Sequence, residues 1–116
     1  MTKTAVKREE SPNGTECVVE LARFFPGAQT LQIPVKLSKT GKDAATEETV
    51  IEFGTATEIL FASELSLDFD EIVQVRSDNG LLNATAKIVA MRFYRGKMAI
   101  AGLFEEERVA GWTVKV

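Results

Sequence analysis

The chain of 116 residues contains no histidine and a single cysteine, Cys17. Without histidine, every Ser-His and Cys-His nucleophile arrangement is excluded. With one cysteine as well, the usual zinc sites are excluded, and no intrachain disulfide can form. No GxxxxGK and no GxGxxG segment occurs, so the nucleotide cradles built on those glycines are missing. There is no charged-then-apolar leader and no apolar run of about 18 residues, so neither secretion nor a membrane span is expected. One cysteine fits a reducing, cytoplasmic setting. Basic residues are also in deficit, 14 against 17 acidic, for a net charge of −3. That is the wrong sign for a phosphate-backbone binder, so no nucleic-acid partner is expected. Repeats of 20–50 residues are absent too, which excludes solenoids.

What remains is an ordinary globular composition, 45% hydrophobic and 27% charged, at a length suited to one domain. Residues 1–15 read as a flexible polar arm, with Pro12, Asn13 and Gly14 together and no apolar period. Residues 16–116 read as a single domain. "CVVELARFFPG" fits either a strand or a short helix, ended by Pro26-Gly27. "TLQIPVKLS" is the clearest strand, with Leu31, Ile33, Val35 and Leu37 on one side. Pro34 cannot donate to a ladder, which predicts an edge strand or a bulge there.

"TVIEF" and "TEILFA" flank Gly54, read as a bend between two strands, and "EIVQVRS" follows a mostly turn-like connection. Ser77-Asp78-Asn79-Gly80 signals a hairpin, because Asn-Gly suits positive φ. "LLNATAKIVAMRFY" predicts a long bent strand that returns through Tyr94-Arg95-Gly96-Lys97 into "MAIAGLF". In the tail, Glu105–Glu107 suits a helix N-terminus and "WTVKV" a last strand. About six closely spaced strands with one or two short helices predict a mainly β fold, a small antiparallel β-barrel.

Few residues carry chemistry. Asp68 and Asp70 are the one candidate carboxylate pair, for acid/base work or calcium, against a bland role as solvated turn residues. The bland reading is preferred, so no catalytic residue, metal or cofactor is expected and the chain is read as a non-enzyme. Phe24, Phe25, Phe53, Phe61, Phe93, Phe104 and Trp112 are candidates for a stacking platform, but they are interleaved with basic residues only near Arg92, Tyr94, Arg95 and Lys97. Core packing is the preferred role for most of them. Cys17, with no flanking cation, reads as a small core hydrophobe.

The order "IPVKL", "TVIEFGTATEILF", "EIVQV", "ATAKIVAM", "AIAGLF" resembles a PilZ domain, a small bacterial β-barrel, over about residues 31–112. PilZ receptors for cyclic di-GMP carry two arginines separated by three residues, whose guanidinium forks pair with phosphates and stack on guanine. Arg23 is present here, but Gly27 stands in the second place; Arg8 is likewise followed by Pro12. In the second motif, Asp/Asn-x-Ser-x-x-Gly, the aligned residues are Ile51, Phe53 and Ala56, and Ile51 and Phe53 read as inward-facing core. A shift by one residue puts Glu52 near the acid position, with Gly54 in place of the serine.

The resemblance thus implies a degenerate member that acts as a signalling or adaptor module through an unidentified protein partner or self-association, without binding cyclic di-GMP. The alternative is a cyclic-di-GMP receptor with a non-standard site formed by Arg8, Arg23, Arg92 and Arg95. An oligonucleotide-binding or SH3-like barrel is a third, weaker reading.

Overall fold

The computed structural model describes residues 15–40 and 44–114. A helix α1 (Glu16–Ala22) precedes six strands: β1 (Gln29–Lys39), β2 (Thr46–Gly54), β3 (Glu58–Ser63), β4 (Ile72–Ser77), β5 (Asn83–Tyr94) and β6 (Lys97–Phe104). All neighbours pair antiparallel in the closed order β1-β2-β3-β6-β5-β4. The expected small mainly β barrel is therefore the fold, with a single short helix among the described residues.

The barrel interior follows from alternation along each strand. Val35 and Leu37 of β1, Ile51 of β2, Ile59 and Phe61 of β3, Val73 and Val75 of β4, Ile88 of β5 and Ile100 of β6 are almost fully buried. Leu31 and Ile33 pack against the same cluster, so all four apolar positions of "TLQIPVKLS" face inward.

β1 is not an edge. It pairs with β2 on one side and β4 on the other, and its bulge falls between Thr30 and Ile33. Pro34 is tolerated for a local reason. Its carbonyl accepts from the Asp78 N–H at 3.1 Å, so its ring nitrogen faces the same side, just past the end of β4.

Alternation breaks twice more, and both breaks matter. A register shift between Ile51 and Phe53 pairs Ile51 with Phe61 but Phe53 with Leu60. Another lies between Ile88 and Ala90. Each extra residue sends the next side chain to the opposite face. Phe53 was expected inside; it lies outside instead, packed against the cluster beneath α1. Met91, in turn, packs on the interior cluster while Ala90 faces α1.

α1 covers β3, β5 and β6 from outside. Its buried Cys17, Val18 and Leu21 rest on Leu60, Ala99 and Ala101, with Ala62 and Ala90 at the margin. Alanines let the helix approach the sheet closely while its own larger side chains fill the gap.

Two turns repay inspection. Tyr94 pairs directly with Lys97, and Arg95 (φ 52°) and Gly96 (φ 82°) both take positive φ, as a tight type I′ hairpin requires. The β4–β5 connection is longer than the Asn-Gly signal implied. There the Asn79 carboxamide oxygen accepts from Ser77 Oγ at 2.7 Å and from the Leu81 N–H at 2.9 Å, and only Gly80 has positive φ.

The tail differs from expectation. Residues 105–114 form bends and turns, with neither a helix at Glu105–Glu107 nor a strand over the described part of "WTVKV". The apolar side chains there serve tertiary packing instead: Val109 and Trp112 pack on the interior cluster and Val114 is buried. Trp112 meets Phe104 edge-on at 5.1 Å and donates from Nε1 to the Thr55 carbonyl at 2.8 Å. A Cβ at Gly54 would lie 2.5 Å from the Trp112 ring and 2.8 Å from Leu31, so Gly54 is a seat for this indole more than a bend.

Candidate functional site

The segment 49–61, where the PilZ resemblance would place ligand contacts, is occupied by the protein itself. Ile51 is fully buried among the interior side chains. Glu52, the bulged residue, projects toward the start of α1. Its carboxylate accepts from the Thr15 main-chain N–H and, at 2.7 Å, from Thr15 Oγ. Thr15 is the N-cap of α1 and is buried; its hydroxyl is turned to Glu52 and makes no capping bond of its own. The Thr15 carbonyl accepts from the N–H groups of Val18 and Val19. An acid beside the first turn also suits the helix dipole. One charged side chain therefore ties α1 to β2.

Next to this tie, burial pushes the Cys17 thiol up from its ordinary range, and the negative charge of Glu52 adds to the rise; Lys97 opposes it. Cys17 is 1% exposed and behaves as a core group. A cleft of about 180 Å³ opens beside it, lined by Thr15, Glu16, Cys17, Tyr94, Arg95 and Lys97. Its neighbour across Thr15 and Lys97, about 190 Å³, is mainly acidic through Glu47, Glu48 and Glu64. There Glu47 is already engaged, accepting from Ser63 Oγ at 2.6 Å and from the Glu64 N–H at 2.8 Å.

The candidate arginines divide into separate places. Arg8 lies outside the described residues. Arg23 follows α1 at its C-cap, exposed, 3.9 Å from Glu20. Arg92 stands with its guanidinium 5.9 Å from the Phe24 ring, which brings it to the same end of α1 as Arg23. Arg95 lines the cleft at the other end, its guanidinium 5.4 Å from the Tyr94 ring. A seven-residue helix separates the two ends, about 10 Å at its standard rise. Gly27, in the place of the second PilZ arginine, has φ 87°, a conformation that would strain any arginine put there.

Asp68 and Asp70 are exposed and lie in the turn before β4, Asp70 at φ 68°. The Asp68 N–H donates to the Glu71 carboxylate and the Asp68 carbonyl accepts from the Glu71 N–H. Glu71 itself pairs with Lys39 at 3.4 Å. Among the described residues no group of three His, Cys, Asp or Glu side chains could hold a metal ion, and no helix is long and apolar enough to cross a membrane.

Of the aromatics, Phe61 and Phe104 are buried, and Phe25, Phe53 and Trp112 pack against the two clusters. Phe24, Phe69 and Phe93 are the exceptions, 64%, 59% and 67% exposed. The sequence matches no protein-family model and no curated protein.

Proposed function

We propose that this protein is a non-enzymatic, PilZ-like module of bacterial signalling that works in the cytoplasm as an adaptor, through protein contacts and without binding cyclic di-GMP. The observation that carries this reading is the engagement of the segment where the dinucleotide would sit. Ile51 is sealed in the core, and the carboxylate of Glu52 is committed to Thr15. The separation of Arg23 and Arg92 from Arg95 points the same way, because two guanidinium forks must converge to grip one phosphate pair. The large exposed rings of Phe24 and Phe93 support a role in protein contacts, for which aromatics are favoured. Isothermal titration of the full chain with cyclic di-GMP is expected to give only heat of dilution; saturable micromolar binding overturns the reading.

One observation favours the receptor alternative: Arg92 stands near the exposed ring of Phe24, the residue after Arg23, a surface on which a guanine could stack. If titration does show binding, replacing Arg23 and Arg92 together must abolish it for this second reading to hold. Unchanged affinity in the double variant removes it.

A further inference from the structure

The β4–β5 connection carries Asn79-Gly80, a step with chemistry of its own. The main-chain nitrogen that follows an asparagine can attack the carboxamide carbon, and glycine, without a Cβ, hinders that attack least. Here the Gly80 nitrogen would form a bond to Asn79 Cγ and give up its proton. The Cγ–Nδ2 bond breaks, and the amide nitrogen leaves with that proton as ammonia. The product is a five-membered cyclic imide. Water, the only co-reactant, then opens one of its two carbonyls. One opening gives aspartate; the other gives isoaspartate, in which the chain runs through the side-chain carbons.

The folded turn controls this step. Asn79 and Gly80 are both exposed, so water has access. The nucleophile and the carboxamide are nevertheless both engaged. The Gly80 N–H donates to the Ser77 carbonyl at 2.9 Å, a neutral acceptor that holds the proton without removing it. The Asn79 carboxamide oxygen accepts from Ser77 Oγ at 2.7 Å and from the Leu81 N–H at 2.9 Å. Ring closure turns the Asn79–Gly80 peptide toward its own side chain, and these three bonds cannot all survive it. Ser77 is itself fixed. It is buried, its N–H donates to the Leu82 carbonyl, and its Oγ accepts from the Leu82 N–H, both at 2.9 Å. The donors on the carboxamide oxygen also polarise Cγ, as an oxyanion hole does. That helps only after the nitrogen has shed its proton.

We propose that Asn79 is a site of spontaneous modification governed by this turn: closed while Ser77 holds it, and converted to aspartate or isoaspartate when the turn opens. The two products differ in consequence. Aspartate keeps an oxygen for Ser77 Oγ and the Leu81 N–H, so the turn survives. Isoaspartate adds a main-chain carbon between Ser77 and Leu82, whose mutual bonds close the loop. Leu82 belongs to the interior cluster, and the loop lies hard against the tail: a Cβ on Gly111 would fall 2.2 Å from the Leu81 carbonyl oxygen. A longer loop has no room on that side, so isoaspartate loosens Leu82 and weakens the barrel. None of this depends on the proposed family.

The test is incubation of the full chain at mildly alkaline pH, in buffer and in urea, followed by peptide mapping that separates aspartate from isoaspartate by mass and retention. Asn13-Gly14, the same step outside the described residues, is scored separately. Asn79 is expected to react more slowly in buffer than in urea by roughly tenfold or more, because the turn must first give up net hydrogen bonds. Ser77→Ala removes one donor from the carboxamide and should raise the rate in buffer severalfold, with the rate in urea unchanged. If Ser77→Ala does not fold, the wild-type ratio decides alone. Asn79→Asp should melt in urea like wild type, and the purified isoaspartate form at a lower urea concentration. Equal rates in buffer and urea overturn the inference. So does a folded Ser77→Ala with the wild-type rate, or an isoaspartate form as stable as Asn79→Asp.

Discussion

Leu60 and Phe61 are adjacent in β3 and both fully buried, yet they belong to different cores. Phe61 points into the barrel, among branched side chains contributed by all six strands. Leu60 points outward into a thin layer of Cys17, Val18, Leu21, Ala99 and Ala101 beneath one seven-residue helix. The first core is held by a closed hydrogen-bonded ladder around it. The second relies on a few apolar contacts and on the tie from Glu52 to Thr15. Equal burial therefore does not mean equal consequence: interior packing defines the barrel, whereas the outer layer only attaches α1 to it.

The sharpest way to break this comparison is to truncate the two neighbours separately. Phe61→Ala should lower stability in urea by about 3–5 kcal/mol, shifting a single cooperative transition. Leu60→Ala should act on α1 first, so hydrogen exchange rises in residues 16–22 while strand amides stay protected. Equal loss of protection in helix and strands would show that the two cores are one cooperative unit.

A smaller effect tests the tie. Glu52→Ala strips the buried Thr15 N–H and hydroxyl of their acceptor and should cost about 1–3 kcal/mol, read from the urea midpoint. Glu52→Gln keeps one acceptor oxygen and should cost less. If the two variants match wild type, the attachment of α1 is apolar alone.

The smallest effect is alkaline. Burial, with help from Glu52, holds the Cys17 thiol above its ordinary range in the folded state. The unfolded thiol ionises at about 8.5. The unfolded chain therefore loses its proton first, so stability is full below that pH and falls as pH rises toward the folded value. Cys17→Ala should flatten this slope in urea melts taken between neutral and alkaline pH; an unchanged slope would assign it to other groups.

Much of the architecture was legible in residue order. The alternation of Leu31, Ile33, Val35 and Leu37 marked one face of β1 correctly, and Tyr94-Arg95-Gly96-Lys97 marked the β5–β6 hairpin. The exposed turn positions of Asp68 and Asp70 were also legible, because short polar side chains between apolar runs have few other uses. Phe53 was not. A period-two pattern assigns it the face of Ile51, and nothing in "TVIEFG" announces that Glu52 is an extra residue. The tail misled for a related reason: three consecutive glutamates suit a helix start, but Trp112 and Val114 gain more by closing the barrel.

By itself the sequence determined the strand count, the interior face of β1 and the chemistry that histidine and cysteine would have supplied, since these depend on composition and local period. Only the tertiary structure decided where that period slips, that Glu52 serves Thr15 at 37 residues' separation and that Gly54 seats Trp112. It also decided that Arg23 and Arg95 lie at opposite ends of α1 and that β5 outruns β4. The physical reason is one of range. Turn chemistry and alternation act between neighbours along the chain, whereas a bulge, a close approach or an unpaired edge exists only once distant strands have met.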